Sequence, residues 1–205
     1  MAGLFVTFEG GEGSGKSTQI QRLAARLRAA GREPVITREP GGTPLAEGIR
    51  ELLLDPARSP NPVTEALLME AARADLVESV IGPALASGGV VLSDRYDDST
   101  LAYQGGGRGL GLEWLRQLNA FATGGLVPDL TLLFDLPVEI GLARRRAQGD
   151  GNRLDLEGPE FHGRVLETYR ALARLDPERF VVLDARSDPD ELEAQAWAAL
   201  DLRLR

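Results

Sequence analysis

The chain of 205 residues contains no cysteine. It can therefore form neither a disulfide framework nor a metal site with thiolate ligands, which fits a cytoplasmic protein. Its apolar runs are also short, and none approaches the roughly 20 residues that span a bilayer. The first run, residues 4–8, is too short for a signal peptide and follows no basic segment. We expect a cytoplasmic protein without a membrane partner.

Positive charge is scarce as well. The 31 acidic residues outnumber the 23 basic ones, so the net charge is −8. Proteins that bind nucleic acid or anionic membranes through their overall charge are typically basic, so we expect neither partner. Any anionic ligand must be held by a local group of cations. Lysine is the scarcest cation, because Lys16 is the only lysine and every other basic residue is arginine.

Lys16 lies in the stretch GGEGSGKST, residues 10–18, which matches the pattern of a nucleotide phosphate-binding loop. In such a loop the backbone N–H groups surround the phosphates of ATP, the lysine reaches the β- and γ-phosphates, and the hydroxyl of Ser17 ligates Mg²⁺. A compact ammonium fits this closely wrapped loop better than a bulkier, planar guanidinium. The alternative is an ordinary glycine-rich turn before a helix. The predicted ATP-binding residues are Gly10, Gly11, Glu12, Gly13, Ser14, Gly15, Lys16, Ser17 and Thr18.

Short apolar runs alternate with segments of helical periodicity along the whole chain. Such alternation predicts an α/β fold with a five-stranded, mostly parallel sheet and helices on both faces, in three layers. No Pro/Gly/Ser-rich linker divides the chain, so we expect a single domain over residues 1–205. The predicted strands are 4–8, 34–37, 90–93, 130–134 and 180–183, and the predicted helices are 17–30, 44–54, 63–86, 112–122, 138–147, 160–175 and 189–204.

In a sheet of this kind ligands bind beyond the carboxyl ends of the strands. The third predicted strand ends at Asp94 and Arg95. The carboxylate could hold a water bound to Mg²⁺ or orient a phosphate acceptor, and the guanidinium could grip a phosphate. An ordinary ion pair between these two residues is the alternative. A guanine-reading Asn-Lys-x-Asp motif is impossible with one lysine, which argues against a small GTPase.

Several separated motifs together resemble the bacterial thymidylate kinase family, and the resemblance covers essentially the whole chain. The family transfers the γ-phosphoryl group of ATP to dTMP, and its members commonly form homodimers and use Mg²⁺. Alternatives that stay open are another nucleoside or nucleotide monophosphate kinase of this fold and a non-catalytic ATP-binding regulatory protein. The motifs are FEGGEGSGKSTQ (8–19), TREPGGT (37–43), SDRY (93–96), STLAYQGGGRG (99–109), PDLTLLFDLP (128–137) with Asp155, and FVVLDA (180–185).

The resemblance implies roles on the side of the phosphate acceptor. Glu12 would lie at the 3′-hydroxyl of the deoxyribose, and Arg38 and Arg95 would bind the monophosphate. Tyr103 would occupy the space of a ribose 2′-hydroxyl and so favour deoxyribose. The alternatives are a solvent-facing Glu12, an Arg38 paired with Glu39 or another neighbour, and a half-buried Tyr103 with its hydroxyl in water.

The resemblance also implies how the base is bound. Arg73 would bind a thymine carbonyl, and Thr100 and Gln104 would contact the base edge; otherwise Arg73 is a surface arginine of a helix. The family usually stacks thymine on a phenylalanine four residues before this arginine, where this chain has Met69. A thioether still covers a ring face, but the aromatic stack is lost.

A lid is predicted at residues 144–158, where three arginines end a helix and a loop follows. By resemblance the lid closes over ATP and supplies the catalytic arginine, because the phosphate loop contains none. We favour Arg153 for that role, with Arg144, Arg145 and Arg146 as unranked helpers. Together with Lys16, Asp94 and Arg95 it completes the predicted catalytic set, and Ser17 and Asp94 are the predicted metal ligands.

Overall fold

The computed structural model describes residues 3–147, 149 and 151–204. Within these residues, five strands form one sheet in the order β2-β3-β1-β4-β5, and every neighbouring pair is parallel. The predicted α/β class and five-stranded sheet are therefore confirmed. The strands are β1 Leu4–Glu9, β2 Val35–Arg38, β3 Val90–Asp94, β4 Leu130–Asp135 and β5 Phe180–Asp184.

Helices connect the strands, and their bounds agree with the predicted ones except after β3. The predicted helix 63–86 is continuous but contains a π-helical stretch, Val77–Ile81, between α3 and α4. The helices are α1 Lys16–Ala29, α2 Pro44–Leu54, α3 Pro62–Leu76, α4 Gly82–Ala86, α5 Asp97–Thr100, α6 Leu112–Thr123, α7 Val138–Ala147, α8 Pro159–Leu175 and α9 Pro189–Leu204. No helix in the described part of the chain is both long and apolar enough to cross a membrane.

The two faces of the sheet carry separate apolar clusters, because successive side chains of a strand point to opposite faces. In β1, Val6 and Phe8 pack on one face against the buried residues of α1 and α9, such as Leu23 and Leu200. Phe5 packs on the other face, in a cluster with Leu76 at the end of α3 and Tyr96, two residues after β3. The molecule therefore has the predicted three layers.

One helical segment was not predicted. Helix α5 continues as a π-helix, Leu101–Gly107, even though this stretch contains three consecutive glycines. A Cβ on Gly106 would lie 2.0 Å from Thr168 Oγ1, and one on Gly107 would lie 2.4 Å from the ring of Phe161. The glycines let this segment pack directly against α8, so tertiary contact outweighs their low helix propensity.

Residues 1, 2, 148, 150 and 205 belong to the predicted domain but lie outside the described residues. Two of them, Gln148 and Asp150, fall in the predicted lid. The described part of the lid is residues 144–147, 149 and 151–158.

Candidate active site

A cavity of about 530 Å³ opens at the carboxyl ends of β1, β2 and β3. The glycine-rich loop after β1, the turn after β2 and the helical segment after β3 form its walls, which is where a parallel sheet places its ligands. Of the predicted site residues, Gly10, Gly11 and Arg153 do not line it. Those that do are Glu12, Gly13, Ser14, Gly15, Lys16, Ser17, Thr18, Arg38, Met69, Arg73, Asp94, Arg95, Thr100, Tyr103 and Gln104.

The glycine-rich loop wraps around the side chain of Lys16. The buried ammonium of Lys16 donates hydrogen bonds of 3.1 and 2.9 Å to the carbonyl oxygens of Gly10 and Gly11. Burial and the nearby Arg95 lower the pKa of Lys16 from its usual value, against the opposing effect of the carboxylates around it. At Gly13 the backbone φ is +65°, and a Cβ there would lie 2.4 Å from the carbonyl oxygen of Gly141. The loop therefore packs directly on α7.

Ser17 and Asp94 meet at the opening of this loop. The hydroxyl of Ser17, in the first turn of α1, donates a 2.8 Å hydrogen bond to Asp94 Oδ2 at the end of β3. A hydroxyl and a carboxylate beside a phosphate loop are the hard oxygen ligands that Mg²⁺ accepts, with waters and phosphate oxygens completing its shell. These two side chains therefore fit the predicted metal site.

Arg95 organises the centre of the cavity from a left-handed backbone conformation, with φ at +73°. Its guanidinium donates to the Gly10 carbonyl at 3.0 Å, to Glu12 Oε1 at 2.8 Å and to the Tyr103 hydroxyl at 3.0 Å. The ordinary ion pair between Asp94 and Arg95, considered as an alternative, does not form. Arg95 forms its ion pair with Glu12 instead.

Glu12 points into the protein and not into solvent. Its carboxylate accepts from Arg95 and, at 2.6 Å, from the hydroxyl of Tyr103. Burial acts to raise the pKa of Glu12, but Arg95 and Lys16 outweigh it and lower the pKa to about 2. The alternatives of a solvent-facing Glu12 and of a Tyr103 hydroxyl in water are therefore wrong.

Glu9, at the end of β1, supports this arrangement through hydrogen bonds, and no specific role was predicted for it. This fully buried carboxylate accepts from the backbone N–H of Tyr96 at 2.8 Å and from the hydroxyls of Ser99 and Tyr169 at 2.6 and 2.8 Å. Tyr169 in turn accepts from Arg95 at 3.2 Å. Burial raises the pKa of Glu9 to about 7, because desolvation disfavours the charged form.

The turn after β2 brings two arginines to the cavity. Arg38 is more than half exposed and pairs with Glu47 at 3.1 Å, so it does form a salt bridge with a neighbour in this state. Arg50, which sequence reasoning missed, donates to the carbonyl of Pro40 at 2.7 Å and also lines the cavity. Arg38 and Arg50 together make this wall of the cavity rich in positive charge. Burial lowers the pKa of Arg50, and repulsion from Arg38 lowers it further.

Arg73 is a buried residue, so the alternative of a surface helix arginine is wrong. Its guanidinium donates to Glu39 Oε2 at 2.9 and 2.6 Å and to the hydroxyl of Thr100 at 2.9 Å. It also pairs with Glu70 and donates to Asn119 Oδ1 at 3.1 Å. Protein acceptors thus surround this arginine where it borders the cavity.

The lid arginines take different positions. Arg144 lines the cavity and donates to the carbonyl of Ala185 at 3.3 Å, while Arg145 lines it and pairs with Asp155 at 3.0 Å. Arg146 is exposed. Arg153, which we favoured as the catalytic arginine, lies outside the cavity instead. Its guanidinium is 2.6 Å from Glu65 Oε2, because that fully buried carboxylate needs a cationic partner.

Comparison with known proteins identifies the family of the chain. The family model described as thymidylate kinase matches residues 8–196. A thymidylate kinase of Deinococcus radiodurans is 54% identical over 98% of both chains, and one of Pseudomonas fluorescens strain Pf0-1 is 60% identical over 90% of this chain and 89% of its own. The crystal structure of thymidylate kinase from Ehrlichia chaffeensis superposes with a TM-score of 0.81, at 31% identity and over 98% of this chain and 99% of that one.

Proposed function

The chain belongs to the thymidylate kinase family, and we propose that it transfers the γ-phosphoryl group of ATP to dTMP, giving dTDP for the synthesis of dTTP. The observation that carries this proposal is a single cavity with two different ends. One end is a phosphate loop, and the other is a wall of polar side chains suited to a nucleobase. Arg95 and Glu12 lie between them, where the two nucleotides must meet.

ATP binds to the loop at residues 10–18. Lys16 exchanges the carbonyl oxygens of Gly10 and Gly11 for the β- and γ-phosphates, which are stronger acceptors because they are charged. The N-terminus of α1 adds its partial positive charge to the same phosphates. The γ-phosphoryl group moves in line to the acceptor without a covalent enzyme intermediate, so the protein contributes position and charge.

Ser17 and Asp94 would hold Mg²⁺, the second through its carboxylate or a water. The ion would supply positive charge against the phosphates. The two side chains, already in contact at 2.8 Å, keep the phosphate loop and the end of β3 in register.

The phosphate of dTMP binds among Arg38, Arg50 and Arg95. The carboxylate of Glu12 accepts from the sugar 3′-hydroxyl, which explains why a negative side chain lies inside an anion-binding loop. Tyr103, held by Glu12 and Arg95, closes the space beside the sugar and so favours deoxyribose.

The base lies at the opposite wall. Met69 covers one face of thymine, and Arg73, Thr100 and Gln104 contact its edge. Arg73 is positioned for this by Glu39 and Glu70, whose carboxylates fix its guanidinium plane.

The catalytic charge of the lid comes from the arginines that already line the cavity, Arg144 and Arg145. They stabilise charge on the phosphoryl group during its transfer, and the closed lid limits hydrolysis of ATP by excluding water. A catalytic role for Arg153 stays a prediction, and it requires the guanidinium to leave Glu65.

The test is a panel of nucleoside monophosphates with ATP and Mg²⁺. We expect dTDP formation with dTMP at a higher kcat/KM than with UMP, dCMP or AMP. A preference for one of these other acceptors would show a different monophosphate kinase. ATP binding without any diphosphate product would show a regulatory protein.

The active form is a homodimer in the cytoplasm, where ATP and dTMP are available. Large apolar side chains on the adjoining helices α3 and α6 are exposed, among them Leu67 at 49% and Phe121 at 87%. A second copy of the chain would cover them. Light scattering after chromatography should give twice the monomer mass, and Phe121→Asp should shift the mass toward the monomer.

A further inference from the structure

Glu65, on α3, is a fully buried carboxylate outside the predicted site. One of its oxygens, Oε1, accepts from Gln104 Nε2 at 2.8 Å and from Arg108 Nε at 3.2 Å. The other, Oε2, accepts from Arg108 at 3.2 Å and from Arg153 at 2.6 Å. One carboxylate is therefore contacted by three side chains. Gln104 belongs to the π-helical segment after α5, Arg108 directly follows that segment, and Arg153 lies in the lid.

These partners keep Glu65 ionised. Burial acts to raise its pKa, but the hydrogen bonds from Arg108, Gln104 and Arg153 outweigh burial and lower the pKa below its usual value. An ionised carboxylate can only accept hydrogen bonds. Gln104 must therefore present its NH₂ group to Glu65, and an amide that presents NH₂ on one side turns its carbonyl oxygen to the other.

Gln104 lines the cavity. Among the described residues, no donor is hydrogen-bonded to Gln104 Oε1, so this oxygen is available to a ligand. The side chain is almost completely buried, at 1% exposure, so it does not rotate freely. The cavity thus presents one oriented acceptor on the wall where we place the base.

We infer that Glu65 is a positioning residue for base selectivity, which acts by fixing the amide of Gln104. The inference rests on the proposed placement of the base against Gln104. Thymine carries a donor at N3–H, and the fixed carbonyl oxygen accepts from it. Cytosine has an acceptor at N3 and no hydrogen there. The carbonyl oxygen of Gln104 would then face a second acceptor, and a buried mismatch of this kind is strongly disfavoured.

The experiment compares selectivity, measured as the inhibition constant of dCMP divided by the KM for dTMP. In Glu65→Gln the side chain at position 65 can donate as well as accept, so the amide of Gln104 can rotate and exchange its NH₂ group and carbonyl oxygen. We expect the ratio to fall about tenfold, mainly through a higher KM for dTMP, with kcat at saturating dTMP nearly unchanged. A purely structural role would lower activity without changing the ratio.

Arg108→Met is the matched control, because it removes another partner of Glu65 but leaves the carboxylate and Gln104 in place. It should lower the melting temperature and keep the ratio. The double variant Arg108→Met with Glu65→Gln restores the charge balance of the cluster, so it serves where Glu65→Gln alone fails to fold. Compared with Arg108→Met, it should show the same loss of selectivity.

Gln104→Met separates the inference from the placement of the base. If Gln104→Met lowers the ratio and the Glu65 variants do not, the role of Glu65 is overturned and the base placement stands. If Gln104→Met leaves the ratio unchanged, the placement of the base against Gln104 is overturned, and the inference with it.

Discussion

The hydroxyl of Ser17 donates a 2.8 Å hydrogen bond to Asp94 Oδ2, which joins the first turn of α1 to the end of β3. The two residues lie 77 positions apart in the sequence, and only the parallel pairing of β1 and β3 brings them together. If they share Mg²⁺, the carboxylate contributes charge to the site. The hydroxyl contributes only a neutral oxygen.

Asp94→Asn should therefore raise the Mg²⁺ concentration needed for half-maximal activity by about tenfold or more, because second-shell and ligand changes at metal sites have effects of this size. Ser17→Ala should act in the same direction. The measurement is the initial rate of dTDP formation across a Mg²⁺ titration. A Mg²⁺ dependence unchanged in both variants would remove these residues from the metal site.

Lys16→Ala should lower kcat about a hundredfold or more, because it removes a charge that stabilises the transferred phosphoryl group. Lys16→Arg is the sharper test, since it keeps the charge but adds bulk where the ammonium now lies about 3 Å from two carbonyl oxygens. We expect both variants to lose turnover and to retain dTMP binding, measured by calorimetry. Near-normal kcat in Lys16→Arg would contradict our explanation of the single lysine.

Much of the fold could be predicted from the sequence because its signals are local. The five apolar runs and the periodicity of segments such as residues 17–30 and 160–175 each depend on neighbouring residues. The segment 101–107 could not be predicted, because its helical form depends on contact with α8. Propensity alone favours a loop for three glycines in a row.

The candidate site divides in the same way. Lys16, Ser17 and Asp94 could be predicted, because a motif and a strand end mark them. The roles of Glu9 and Glu65 could not, since each depends on partners distant in sequence. Arg50 could not because no motif marks it on α2. The contact between Arg153 and Glu65 could not be predicted for the same reason, because Glu65 lies 88 residues away and carries no motif.

The lid arginines can be ranked by substitution. Arg144→Ala and Arg145→Ala should lower kcat by about a hundredfold with little change in the KM for dTMP, as expected for residues that stabilise transition-state charge. Arg153→Ala should have a smaller effect on kcat, because its guanidinium is held by Glu65. The measurement is steady-state kinetics with both substrates varied, and Arg146→Ala is the exposed control. A larger loss of kcat in Arg153→Ala than in the other two would restore its predicted catalytic role.

Met69→Phe should strengthen dTMP binding, since an aromatic ring can stack on thymine where the thioether only covers it. Aromatic stacking contributes about 0.5–1.5 kcal/mol, so the KM for dTMP should fall about twofold to tenfold. Leu68, the neighbouring residue, does not line the cavity, and Leu68→Phe serves as a control. An unchanged or higher KM in Met69→Phe alone would place the base elsewhere.

Glu9 is a fully buried carboxylate and Glu12 a partly buried one, and their pKa values move in opposite directions. Burial raises the pKa of Glu9 from 4.5 to about 7. For Glu12, Arg95 and Lys16 overcome the effect of burial and lower the pKa to about 2. The folded protein therefore holds a proton on Glu9 more tightly than the unfolded chain does, and on Glu12 less tightly.

The stability that Glu9 contributes is accordingly full below about pH 4.5 and is lost as the pH rises through about 7. Glu9→Gln removes this titration. The free energy of unfolding of Glu9→Gln minus that of the unmodified chain, measured with urea, should increase by about 2 kcal/mol from pH 5 to pH 8. Glu12→Gln is the control: the contribution of Glu12 is lost only below about pH 4.5, so this variant should be destabilised nearly equally at both values. A Glu9→Gln difference independent of pH would show that Glu9 is ionised throughout.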